Sequence, residues 1–91
     1  MARSGKVVMH TIFDDVPAEK LAAVRAGLDR LTAREREILK HAILGETAGD
    51  SAQNLGISRR TVEVHRQQVL TKLGVKNLVQ AVRMIALAER E

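Results

Sequence analysis

The chain has no cysteine, no tryptophan and no tyrosine, and Phe13 is its single aromatic residue. Without cysteine there is no disulfide and no thiolate metal site. The histidines, His10, His41 and His65, do not stand at metal-ligand spacing, so no metal or other cofactor is expected. Readers of single-stranded nucleic acid stack bases on aromatic side chains; this chain has no such platform beyond position 13. No apolar run approaches the roughly 18–20 residues that span a bilayer. The opening MARSGKVVMH is too short and too mixed for a signal peptide. A cytoplasmic protein without a membrane partner is expected. An enzyme is not, since the chain offers no nucleophile–base pair and no length for a cleft.

What is present is one small domain's worth of sequence, 91 residues with a net charge of +4. A core of this size is marginal alone, so association with a second copy would help it. The position of the charge matters more than its amount. Within 58–77 lie Arg59, Arg60, Arg66, Lys72 and Lys76 against Glu63 alone, and the charges elsewhere cancel. The bland reading of such a run is a solvated helix face. The sharper one is a phosphate-facing surface, and three signals meet on this segment.

Those signals are local. Ser58 can cap a helix over 59–73, which Gly74 stops. Its inward stripe would be Val62, His65 or Arg66, Val69, Leu70 and Leu73. Just upstream, Thr47 can cap a short helix over 48–55, ended by Gly56. A short helix, a tight glycine-containing turn and a longer polar-faced helix form a helix-turn-helix, whose second helix enters the DNA major groove. With no aromatic platform, duplex DNA is the expected nucleic acid.

Around this unit, Thr32-Ala-Arg-Glu35 is a capping box opening a helix to about Leu44, with Ile38, Leu39, Ala42 and Ile43 inward. Gly45 stops it. Upstream, Pro17 stands where a first helical position would be, with Asp14 or Asp15 as capping charge. A helix over 18–30 follows, with Leu21, Val24 and Leu28 at helical spacing. Residues 1–16 fit a short strand, an irregular arm or part of a helix equally well. Asn77 with Gln80 opens a last helix from Leu78 to about Glu89. The fold class is all-α, and the organisation is an N-terminal arm and helix (1–30) followed by a DNA-binding domain (31–91).

With these residues in hand, the chain resembles the LuxR/GerE-type helix-turn-helix domain found at the C-terminus of NarL/FixJ response regulators. The matching residues are Leu31-Thr32, Arg34-Glu35, Leu39, Gly45, Ala52, Leu55 and Ser58, then Thr61-Val62-Glu63-Val64-His65-Arg66, Lys72-Leu73-Gly74 and Leu78-Val79. The resemblance covers about 31–88, and RTVEVHR with VRMIALA looks most like the FixJ branch. It implies a four-helix domain, here with an additional N-terminal helix or arm, that binds promoter DNA as a homodimer and regulates transcription. It places the dimer contact on the last helix, at Leu78, Val79, Val82, Ile85 and Ala86. The alternative for that stripe is closure of the domain's own core.

The resemblance also puts Glu63, Val64 and Gln67 at base-reading positions. Gln67 can pair with adenine, Val64 can pack on a thymine methyl, and Glu63 can accept from a cytosine amine. Glu63 can equally orient its neighbouring arginines. Arg59, Arg60, Arg66 and Lys72 read as phosphate clamps, Ser58 and Thr61 as a helix-start phosphate site that also caps, and Lys76 as a flanking backbone contact. His65 reads as a packing histidine.

Two departures matter. The family's second helix usually carries a lysine and, two residues on, a large aliphatic residue; here these are Gly49 and Ser51. Glycine costs roughly 1 kcal/mol against alanine in a helix, and the serine forfeits roughly 1.5–3 kcal/mol of apolar burial. A weak second helix is therefore expected, and Ser51→Ile is expected to raise the melting midpoint. The receiver or ligand-sensing domain that usually precedes this module is also missing. If residue 1 is a true start, control must come from synthesis, degradation or a protein partner such as RNA polymerase or another regulator. The competing readings are a protein-binding adaptor or anti-activator that keeps the fold, and a module like region four of sigma factors.

Overall fold

The computed structural model describes residues 16–90. The questions raised above for residues 1–15, including the capping role of Asp14 or Asp15, lie outside them. Five helices follow in order: α1 (Ala18–Asp29), α2 (Ala33–Ile43), α3 (Ala48–Leu55), α4 (Arg59–Leu73) and α5 (Leu78–Glu89). The described residues contain no strand, so the all-α class holds.

Local chemistry sets the helix starts. Thr32, Thr47, Ser58 and Asn77 each accept, through the side chain, the amide three residues on. Thr32 with Glu35 is the expected capping box. Thr47 with Asp50 is a second complete box, hidden from the usual signature because aspartate replaces glutamate or glutamine. Pro17 stands one position earlier than expected, as the N-cap of α1, and makes no side-chain cap bond. Gly45, Gly56 and Gly74 end α2, α3 and α4 at φ values of +90°, +69° and +71°, a region open to glycine at little cost.

Helix α4 is the centre of the assembly and packs on all four others. Its N-terminal half contributes Val62 to a small cluster with Ile38 and Ala52, closed by Ala48, Leu55 and Ile57. Its C-terminal half contributes Val69, Leu70 and Leu73 to a larger one. That cluster also takes Leu21 and Val24 of α1, Leu31, Leu39, and Ala81, Met84, Leu87 and Ala88 of α5. The segment from Val16 onward therefore shares one core with the helix-turn-helix.

The packing bears on three expectations. Ile43 does not face inward; it is 48% exposed, because it ends α2 at the edge of an open groove lined also by Leu28, Leu31, Leu39 and Ile85. The α5 stripe that fills the core is Ala81, Met84, Leu87 and Ala88. Val79 and Val82 stay 68% and 39% exposed and Ala86 is exposed, while Leu78 and Ile85 are half-buried against the core edge. At Ser51 a polar contact stands where a bare loss of apolar packing was expected. That serine is 0% exposed, and its hydroxyl donates to Glu46 Oε1 at 3.0 Å. The forfeited apolar burial is thus partly replaced by a satisfied hydrogen bond.

Gly27 allows two helix backbones to approach closely. A Cβ there would overlap the Lys72 carbonyl oxygen and touch Leu73 Cα at 3.0 Å, so α1 crosses the end of α4 backbone to backbone. Gly49 differs: a Cβ would meet only Thr47 Oγ1, at 3.8 Å. Gly27→Ala should therefore lower stability by roughly 1–3 kcal/mol through overpacking. Gly49→Ala should raise it by about 0.5–1 kcal/mol through helix propensity. Opposite shifts of the thermal midpoint check the pair. Ser51→Ile now carries the reverse of its sequence-based expectation. It crowds a filled site and removes a donor from Glu46, so its midpoint should fall, by an amount equivalent to roughly 1–3 kcal/mol.

Candidate nucleic-acid interface

The helix that carries the charge is about 22 Å long, from its fifteen residues at 1.5 Å each. Packing divides its circumference. Val62, Val69, Leu70 and Leu73 are buried, which leaves Arg59, Arg60, Glu63, Val64, Gln67, Gln68 and Thr71 exposed on the other side. Val64 is 43% exposed, an apolar side chain on an otherwise polar face. The Thr71 hydroxyl turns back to the Gln67 carbonyl at 3.0 Å, while the Gln67 side chain stays in solvent.

At the helix start, Ser58 Oγ accepts the Thr61 amide at 3.0 Å and lies 2.7 Å from Thr61 Oγ1. Both hydroxyls are thus committed to the cap. The first amides of any helix lack intrahelical acceptors and carry the positive end of its dipole. Arg59 and Arg60 flank them. Glu63 Oε2 lies 3.4 Å from Arg59 Nε, which realises the arginine-orienting geometry. Both groups are well exposed, so the pair adds little stability.

The other predicted cations are spoken for by the framework. Lys72 Nζ lies 2.7 Å from Glu35 Oε1 and also donates to the Arg30 carbonyl. Arg30 in turn donates to the Lys72 carbonyl at 3.0 Å. Arg66 Nη2 donates to the Glu46 carbonyl at 2.9 Å, joining α4 to the turn between α2 and α3. Arg66 Nε and His65 Nδ1 are buried without a partner among the described residues, and both side chains are half-buried. Lys76 is exposed. Of the seven expected phosphate contacts, then, the geometry presents Arg59, Arg60, Lys76 and the Ser58 helix start outward, and leaves Thr61 half-buried.

Sequence reasoning missed the partners of Glu35, Arg66 and Ser51. Glu35 was legible as the capping-box residue, but its ion pair joins positions far apart in the chain. The Lys72 ammonium, followed by the Thr32 amide, holds the Glu35 carboxyl below the usual glutamate value, against burial that would raise it. Among the described residues no group of histidines and acids could hold a metal ion, and no helix is long and apolar enough to cross a membrane.

A short capped helix, a glycine turn and a second helix locked on one side and polar on the other define the class: a helix-turn-helix domain. The chain belongs to the LuxR family. The family described as GerE, bacterial regulatory proteins of the luxR family, matches residues 29–85. Among similar proteins, the transcriptional regulatory protein FixJ of Rhizobium meliloti (strain 1021) is 37% identical over 75 residues, covering 82% of this chain and 37% of FixJ. The transcriptional regulatory protein UhpA of Salmonella typhimurium (strain LT2) is 46% identical over 63 residues, covering 69% of this chain and 31% of UhpA. The transcriptional activator protein SolR of Ralstonia nicotianae is 54% identical over 52 residues, covering 57% of this chain and 22% of SolR. The chain thus spans between 22% and 37% of the length of these relatives. No solved structure matches it.

The Glu35–Lys72 pair has a pH signature. The folded pKa of Glu35 lies below its unfolded value, so the stability it contributes is complete above the unfolded value. It is lost as pH falls through the folded one. The difference in melting midpoint between the unsubstituted chain and Glu35→Gln should therefore be largest at neutral pH and shrink on acidification through the glutamate range. Melting curves at stepped pH check this; a difference independent of pH contradicts the pairing.

Proposed function

We propose that the chain is a DNA-binding transcription regulator that reads duplex DNA by laying the outer face of α4 in the major groove. The observation that carries the reading is the division of α4. Four helices grip one side, and the free side presents Arg59, Arg60, Val64 and Gln67 together. A rigidly held helix with hydrogen-bonding and apolar tips between cations suits base readout framed by phosphate contacts. In this reading Gln67 and Val64 read bases. Arg59, Arg60, Lys76 and the Ser58 helix start hold phosphates, and Glu63 orients Arg59. Arg66 and Lys72 set the helix in place.

The reading includes a homodimer through α5. Val79, Val82 and Ala86 recur at helical spacing on the face of α5 that the core does not use. A second copy would cover that face, with Leu78 and Ile85 at its margin. Two-fold-related half-sites on the DNA would follow from that symmetry. The family and the printed roles of FixJ, UhpA and SolR as transcriptional regulators support the assignment.

Selection of duplexes from a random pool tests the whole proposal, with recovery of a two-fold motif expected and no enrichment counting against it. On the selected site, Gln67→Ala should cost roughly 1–3 kcal/mol and relax preference at one base position. Arg60→Ala should weaken all sequences alike and reduce the salt slope by about one. A changed preference for Arg60→Ala would refute the sorting of contacts. Val79→Glu with Val82→Glu should give a monomer in sedimentation that is still helical by circular dichroism, with a lower melting midpoint and weaker binding to a two-half-site duplex; a dimer that survives removes α5 as the interface.

A further inference from the structure

Three helices of this chain end in the same device. After Gly45, Gly56 and Gly74, the next residue returns its amide to the carbonyl five residues back. Glu46 bonds to His41 at 3.2 Å, Ile57 to Ala52 at 3.0 Å, and Val75 to Leu70 at 3.0 Å. Such a turn is ordinarily sealed by an apolar contact between those two side chains. Ile57 and Ala52 meet this pattern in the smaller cluster, and Val75 and Leu70 in the larger. The turn after α2 does not. There the pair is Glu46 and His41, and the contact is a hydrogen bond from His41 Nδ1 to Glu46 Oε1 at 2.8 Å.

The same carboxylate oxygen accepts the hydroxyl of the fully buried Ser51 at 3.0 Å. Burial pushes the Glu46 carboxyl up, but hydrogen bonds from His41, Asn54 and Ser51 outweigh it and hold it below the usual glutamate value. The backbone carbonyl of Glu46 takes Arg66, the neighbour of Gln67 on α4. One turn residue thus ties the end of α2, the middle of α3 and the middle of α4. Helix α3 cannot roll without withdrawing Ser51 and Asn54 from the carboxylate and leaving the buried Ser51 hydroxyl unpaired, which is costly.

We propose that Glu46 is a positioning residue for duplex recognition, fixing α3 with its side chain and α4 with its carbonyl while making no contact to DNA itself. The inference rests on the reading of α4 as the recognition helix. It predicts that the joint must be sealed but need not be polar, since the two sister turns are sealed by apolar pairs.

Three variants separate the possibilities: Glu46→Ala, Glu46→Leu, and the triple His41→Leu/Glu46→Leu/Ser51→Ala. Each is measured by fluorescence anisotropy, over a salt series, on a duplex that the unsubstituted chain selects from a random pool. Amide spectra without DNA are recorded at a temperature where circular dichroism shows a folded chain. Glu46→Ala and Glu46→Leu, which strand His41 and Ser51, should lose about tenfold or more in affinity, the equivalent of one well-made contact. The salt slope should not change, because no cation is removed. The triple variant, which leaves only the exposed Asn54 to pair with water, should recover most of that affinity.

Full affinity in the folded single variants overturns the proposal. So does an equal loss in Glu46→Leu and the triple variant, which would make the carboxylate itself the required group. If Glu46→Ala does not fold, the comparison of Glu46→Leu with the triple variant decides. If the unsubstituted chain selects no duplex, the DNA reading fails on its own. The joint is then judged on amide spectra. Shifts in α3 and α4 of Glu46→Leu that the triple variant restores support it, and unshifted spectra overturn it.

Discussion

The structure depends on one requirement: α4 must be buried firmly enough to be rigid while keeping a full face in water. Its apolar residues solve this by serving two clusters in series. Val62 closes the helix-turn-helix, and Val69, Leu70 and Leu73 close the larger core with α1 and α5. A helix gripped at both ends on one side cannot roll, because rolling would expose apolar surface at roughly 25 cal/mol per Å² in either cluster. The outer face is thereby fixed in direction as well as in composition. Even the approach of α1 serves this end, since Gly27 brings backbone against the last turn of α4 where a side chain would hold it off.

Polar devices finish what a small core leaves undone. A domain of this size has limited apolar area to bury, and two joints are closed by carboxylates, that of Glu35 buried and that of Glu46 half-buried. Glu35 caps α2 through Thr32 and anchors Lys72 near the end of α4, while Arg30 and Lys72 exchange bonds with each other's carbonyls. Glu46 plays the corresponding part between α2, α3 and α4. Buried charge is costly unless paired and hydrogen-bonded, and both carboxylates are held below the usual glutamate range by their partners. Such pairs are directional, so they specify angles between helices that greasy contacts alone define loosely.

The cations of α4 and its exit turn accordingly divide into two groups with different work. Arg59, Arg60 and Lys76 stand in solvent, available to phosphate. Arg66 and Lys72 are turned to the framework and fix the pose of the surface that the others present. A count of charges on the helix does not distinguish the groups; their partners do.

Much of this was legible in the sequence because it is local. The bounds of α3 and α4, the capping residues Thr32, Thr47, Ser58 and Asn77, and the stops at Gly45, Gly56 and Gly74 all follow from bonds between residues a few positions apart. The buried stripe of α4 follows from its period, and the motif residues carry the family. The rest is decided by what meets what. Helix α5 is apolar on two sides, so periodicity cannot say whether Ala81 and Met84 or Val79 and Val82 face the core; docking against α1 chooses the former. Ile43 looks like core until folding leaves it 48% exposed at the end of α2. Gly27 is given its role only by α4, whose backbone passes against it. Lys72 looks like a free phosphate clamp until folding brings Glu35 within 2.7 Å. Sequence by itself determined where helices begin, end and turn their apolar sides. Only the tertiary structure decided which surfaces stay uncovered and which charges stay free, because those depend on partners that no spacing along the chain records.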